Sequence, residues 1–126
     1  MAGTRWVRLD VDYFENPKTL GVGRAGRELH LRSICWAQRY LTDGELPAAA
    51  VVELTRHAGL SPARRAAVEE LLVTHRLWIP TENGYELHDF VSMNGTRAQA
   101  EAERAGWRNR QRASRAARGG NGDVTA

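Results

Sequence analysis

The stretch AAAVVELTRHAGLSPARRAAVEELLVTHRLWIPTENGYELHDF, residues 48–90, decides the fold. Val51, Val52 and Leu54 give 48–57 an apolar side, and Gly59 stops that helix. Ser61-Pro62 opens another, serine as N-cap and proline at the first helical position. Val68, Leu71, Leu72 and His75 fall at i, i+3, i+4 and i+7, the core face of that helix. Only Ala58-Gly59-Leu60 separates the two helices, the layout of a helix-turn-helix. Two apolar runs follow, 77–81 and 85–90, around Glu82-Asn83-Gly84. Asn-Gly between such runs is a strong hairpin signal.

Upstream, residues 6–14 alternate. Val7, Leu9, Val11 and Tyr13 point one way, Arg8, Asp10 and Asp12 the other, which predicts a half-buried strand ended at Pro17. A brief helical turn and a loop are expected over 18–26, then a core helix over 25–42, apolar round most of its girth. Leu29, Ser33, Trp36 or Ala37, and Tyr40 make its main face, and Asp43-Gly44 ends it. Glu45-Leu46-Pro47 is a short extended link. Helix, short strand, helix, turn, helix, hairpin is the order of a winged helix, so the fold class is α+β, a winged helix-turn-helix over residues 1–94.

Thr96 and Gln99 form a capping box at the start of a segment rich in alanine and arginine. This basic helical arm is expected over 95–118, marginal when free and firmer on a partner, because Trp107 is its only large apolar residue and Gly106 weakens its middle. Residues 119–126, glycine-rich, are expected to be a disordered tail.

Charge divides the same way. Residues 1–96 hold 11 Lys+Arg against 12 Asp+Glu, a net of −1; residues 97–126 hold 7 Arg against 3 acids, a net of +4. A neutral body with a basic arm points to a polyanionic partner, above all nucleic acid. One cysteine, Cys35, excludes an internal disulfide and suits a reducing, cytoplasmic setting. The N-terminus lacks the apolar run of a signal peptide, and no stretch approaches a membrane span. Without a secretion signal, the sequon Asn94-Gly95-Thr96 is a chance match.

The opening WVRLDVDYFENPKTLGVGRAGRELHLRSICWAQRYLTDGELP (6–47), the later LLVTHRLWIPTENGYELHDF (71–90) and the arm TRAQAEAERAGWRNRQRASRAARG (96–119) together resemble small phage and actinobacterial proteins. These are similar to the winged-helix half of DnaD-like replisome organisers. The resemblance covers residues 5–118. It implies a winged-helix fold, a role in replication initiation or regulation, and a tendency to form oligomers or to meet a replication protein. The separate C-terminal remodelling domain of full-length organisers has no counterpart here.

The candidate DNA-binding residues form two groups. In the arm they are Arg104, Arg108, Arg110, Arg112, Arg115 and Arg118, with no acid among them. On a helix, Arg104, Arg108, Arg112 and Arg115 share one face and can follow a row of phosphates. In the body, Arg64 and Arg65 occupy the first turn of the expected recognition helix, Arg56 reaches for the backbone, and Asn83 sits at the wing tip. Glu69 and Glu70 oppose groove reading by that helix, and the wing tip carries no Arg or Lys. Those features favour the alternative, a protein-interaction module that pairs with itself or another replication protein. RNA binding through the arm is a third possibility. Trp107 is expected to dock on the body rather than to stack on a base.

Other patterns carry no chemistry. Gly21-Val22-Gly23-Arg24-Ala25-Gly26 matches G-x-G-x-x-G, with Asp43 at a ribose-binding distance, but it does not follow a buried strand in a βαβ unit. The histidines and Cys35 lack metal-ligand spacing. His75 reads as a core histidine and Cys35 as a small buried apolar residue. Asp10 and Asp12 read as a solvated face. No catalytic set emerges, so no enzyme and no cofactor is expected.

Overall fold

The computed structural model describes residues 5–125, with side chains through Arg118. The chain divides between Gly95 and Thr96 into two compact units.

The first unit is α+β. Its elements run α1 (Pro17–Gly21), α2 (Gly23–Tyr40), β1 (Glu45–Pro47), α3 (Ala48–His57), α4 (Pro62–Thr74), β2 (Trp78–Thr81), β3 (Gly84–Leu87) and α5 (Phe90–Asn94). The three strands form one antiparallel sheet in the order β1-β3-β2, with Leu46 opposite Tyr85 and Ile79 opposite Glu86. Leu29 and Ala37 of α2, Val51 and Leu54 of α3, Val68 and Leu72 of α4, and Leu46, Trp78 and Leu87 of the sheet share one core.

The helices from residue 48 to 74 form where their local signals lie. Ser61 caps α4, its side chain accepting from the Arg64 N–H at 3.4 Å, and Pro62 takes the first helical position. The expected link at Glu45–Pro47 is a true strand. It joins the sheet because Gly84, at φ 155°, has no Cβ; one there would lie 2.2 Å from the Leu46 carbonyl oxygen. The turn residues are therefore Glu82 and Asn83, with Gly84 already in the ladder.

The N-terminal strand expected over residues 6–14 does not form. Asp10 Oδ1 accepts from the Asp12 N–H at 2.8 Å, and the Tyr13 and Glu15 amides turn back onto the carbonyls of Asp10 and Asp12. One side-chain acceptor and two nearby backbone carbonyls take the amides that a ladder would use. The segment is a strap. Arg5 donates to the Arg39 carbonyl (2.7 Å), Gln38 to the Trp6 carbonyl (3.2 Å), and the Arg8 N–H to Asn94 Oδ1 (2.6 Å). Val11 is 95% exposed, and Tyr13 alone of the alternating residues is buried.

Other readings are corrected by packing. Cys35 is exposed, and the buried side of α2 runs through Leu29, His30, Ser33 and Ala37; Tyr40 points outward. His75 is half-buried at the end of α4, with its ring over Gly21, because the helix stops there and the side chain leaves the core. The fully engaged histidine is His30. Its Nδ1 lies 2.7 Å from the Tyr13 hydroxyl, and burial holds its pKa down at about 4. Below it, Trp78 Nε1 donates to Ser33 Oγ (3.2 Å), which donates to the His30 carbonyl (2.6 Å). Phe90, expected in a strand, begins α5 and packs into the core.

The second unit is a single helix, α6 (Arg97–Thr125). Its capping box closes: Thr96 N–H donates to Gln99 Oε1 at 2.8 Å and Gln99 N–H to Thr96 Oγ1 at 3.1 Å. The backbone stays helical beyond Arg118, where a loose tail is expected over 119–126; the side chains of that tail and residue 126 lie outside the described residues. Helix propagation adds one hydrogen bond per residue, which offsets glycine's weak propensity there.

Candidate nucleic-acid interface

Helix α4 presents its first turn to solvent. Arg64 is exposed, and its guanidinium has no ion pair among the described residues. Arg65 differs. Its Nε lies 3.1 Å from Glu69 Oε2, an i,i+4 pair in which the carboxylate side chain is only 13% exposed. Glu69 also reaches Tyr85 on β3. Burial first, and then this carboxylate, raise the Tyr85 pKa, while Arg65 opposes the rise. Arg65 is thus held within the protein, bridging helix and sheet through Glu69.

The groove between α4 and the hairpin, about 600 Å³, is lined by Arg65, Glu69, Glu70, Glu82 and Asn83 among others. Three carboxylates against one engaged guanidinium make it a poor seat for phosphate. Asn83 holds the hairpin to α3 by accepting from the Ala48 N–H on its carbonyl at 2.8 Å. Arg56 is exposed but paired with Glu53 at 3.0 Å, and His57 lies 3.7 Å from the same carboxylate.

All six arginines of the arm, Arg104, Arg108, Arg110, Arg112, Arg115 and Arg118, are exposed on α6. At about 100° per residue, Arg104, Arg108, Arg112 and Arg115 form one ridge. Arg97 and Glu101 precede it with an ion pair of 2.8 Å. Arg118 is steadied by Ser114 Oγ at 3.0 Å. Ala102, Gly106, Ala113 and Ala117 fall on the opposite side, together with Arg110. Trp107 is 43% exposed.

One cluster escaped the sequence reading. Arg24 and Arg27 in the first turns of α2 share an open groove of about 790 Å³ with Arg64 of α4 and the ring of Phe14. Arg24 falls in the stretch expected as a loop and Arg27 in the expected core helix, so no local pattern joins them to each other or to Arg64. The glycines of the G-x-G-x-x-G pattern join α1 to α2, and no strand precedes them among the described residues.

Among the described residues, no three His, Cys, Asp or Glu side chains gather as a metal-binding group, and no helix is long and apolar enough to cross a membrane. No protein-family model, curated protein or solved structure matches the chain.

Proposed function

We propose that this chain is a DNA-binding protein of winged-helix type, anchored to duplex phosphates by the arginine ridge of α6. The observation that carries the reading is the arm itself: six exposed arginines from Arg104 to Arg118 with no acid among them, four of them on one ridge. Each phosphate neutralised releases a counterion, so such binding is strong at low salt and falls steeply as salt rises. The order α2, β1, α3, α4, β2, β3 and the sheet order β1-β3-β2 support the winged-helix reading, with α4 as the second helix of the helix-turn-helix and β2–β3 as the wing. Replication initiation or regulation of a phage or mobile element is the process the sequence resemblance adds. The acidic lining of the groove between α4 and the wing favours the arm over the wing as the anchor.

Duplex affinity of the full chain and of a 1–95 truncation, each at several salt concentrations, tests the reading. Tight binding that is steeply salt-dependent and vanishes on truncation is the expected result. Unchanged affinity of the truncation would overturn the arm as anchor.

The same acidic groove supports a second reading, a protein-interaction module. Glu69, Glu70 and Glu82 suit a basic surface of a second copy or of a replication protein better than phosphate. Sedimentation at high concentration separates the readings: self-association through this groove would be weakened by Glu70→Lys, whereas a monomer with salt-dependent duplex binding favours the first.

A further inference from the structure

The groove between the start of α2 and the α3–α4 turn is a cationic site with an aromatic platform. Its described charged lining is Arg24, Arg27 and Arg64 against Glu28 alone. Glu28 is neutralised by Arg32, 3.0 Å away on the next helical turn. Arg27 is half-buried and fixed by its bond to the Thr19 carbonyl at 3.1 Å, so one guanidinium is pre-oriented. Arg24 and Arg64 are exposed, with no side-chain partner among the described residues. Both stand in the first turns of long helices, where the backbone dipole adds to their positive field.

Phe14 supplies a different chemistry. Its ring is 58% exposed and is propped edge-on against Tyr13, with 5.0 Å between centroids and 77° between planes. Tyr13 is itself buried and hydrogen-bonded to His30, so the prop is rigid. Leu31 and Leu60 floor the groove beside it. A phosphate-binding cluster beside a fixed, open aromatic face matches what an unpaired nucleotide needs: charge for its phosphate and a surface for its base. In a duplex both faces of each base are already stacked, so Phe14 has nothing to meet there.

We infer that this groove binds a single-stranded nucleic-acid segment, with phosphates on Arg24, Arg27 and Arg64 and one base stacked on Phe14. The inference rests on the reading of the chain as a nucleic-acid-binding protein, but it uses none of the arm's residues. It gives the body a partner distinct from the duplex assigned to α6, and it places the two on separate units of one chain.

The test uses the full chain with fluorescent oligo-dT, oligo-U and a mixed-sequence duplex at low salt. The variants are Arg24→Glu/Arg64→Glu, Phe14→Ala, the arm triple Arg108→Ala/Arg112→Ala/Arg115→Ala, and Arg39→Glu as a charge control at the other end of α2. The double reversal is expected to weaken single-strand binding roughly tenfold or more. Phe14→Ala is expected to weaken it about fivefold or more and to leave duplex affinity unchanged. Phe14→Leu, which keeps the apolar bulk without the π face, repeats the test should the alanine variant lose its thermal transition. Comparison of dT with U assigns the strand as DNA or RNA. Groove variants that bind single strands as the wild type does would overturn the inference, and a simultaneous loss of duplex binding in the arm triple would leave the arm reading intact. The converse, an unaffected arm triple with defective groove variants, would overturn the arm and keep the groove. Absence of single-strand binding by the wild type would overturn the groove whatever the duplex result.

Discussion

The hydroxyl of Tyr13 lies 2.7 Å from Nδ1 of His30, with the two rings near-parallel at 5° and 5.6 Å between centroids. This pair ties the N-terminal strap to the core helix, and both members are kept neutral by burial. The Tyr13 pKa is pushed up to about 12 despite the nearby Arg27 charge, and that of His30 down to about 4.

Acid should therefore destabilise the fold through His30. Above pH 6.5 His30 is neutral in the folded and unfolded chain alike, so the full stability is present. Between about 6.5 and 4 the unfolded chain takes a proton that the folded chain refuses, and stability falls with pH. The loss amounts to roughly 3 kcal/mol once both forms titrate. Urea unfolding at pH 7.5 and pH 4.5 measures it. In His30→Gln the difference between the two pH values should shrink sharply; an undiminished difference would assign it to other groups. Tyr13→Phe should cost about 1 kcal/mol at pH 7.5, the worth of one buried hydrogen bond.

Gly84→Ala should damage the sheet. The new Cβ meets the Leu46 carbonyl oxygen at 2.2 Å, and the φ of 155° is one that alanine rarely adopts. Strand β1 must back away from β3, at a cost of about 2 kcal/mol or more. For a domain of this size the melting temperature should drop by roughly 10 °C. A thermal melt within a degree or two of wild type would show that β1 contributes little.

Glu69→Gln isolates the helix-to-sheet bridge. Removing this carboxylate takes away two of the influences that raise the Tyr85 pKa, so the phenol should titrate at lower pH, read by ultraviolet absorbance or by NMR of the ring. It also frees Arg65 and lowers the negative charge of the α4–wing groove. A duplex affinity that rises several-fold would place DNA in that groove. No change in affinity agrees with the arm as anchor.

Gly106→Ala should stiffen the arm. The added Cβ meets nothing closer than the flexible tip of Arg110, at 3.4 Å. Alanine gains close to 1 kcal/mol over glycine inside a helix. Helical ellipticity of the full chain should rise, and duplex binding should tighten if ordering of α6 opposes association. Constant ellipticity would mean the glycine is already no burden.

Local chemistry explains which elements were legible. Ser61-Pro62 and Gly59 are punctuation read within a few residues, and α3 and α4 fall within the bounds they set. The strap was not legible because period-two alternation is shared by strands and by segments that turn back on themselves, as here, where the Asp10 carboxylate and the carbonyls of Asp10 and Asp12 accept from amides two or three residues on. His30 was hidden for a related reason. Its partner, Tyr13, sits on a segment expected in a sheet, so nothing local marked the histidine as buried. The Arg24–Arg64 groove is assembled from residues some forty positions apart, and only packing of α2 against α4 brings them together. The arm's arginines were legible because a long helix needs only its own sequence to arrange a face.

The two outer strands of the sheet share one residue type. β1 ends in Pro47 and β2 contains Pro80. A proline offers no amide proton to a neighbour, and these strands are only three and four residues long. Each border is thereby a poorer template for an added strand, which works against edge-to-edge growth of the sheet. On the proposed function, copies would crowd together along a polyanion, the condition under which an open sheet edge is most costly.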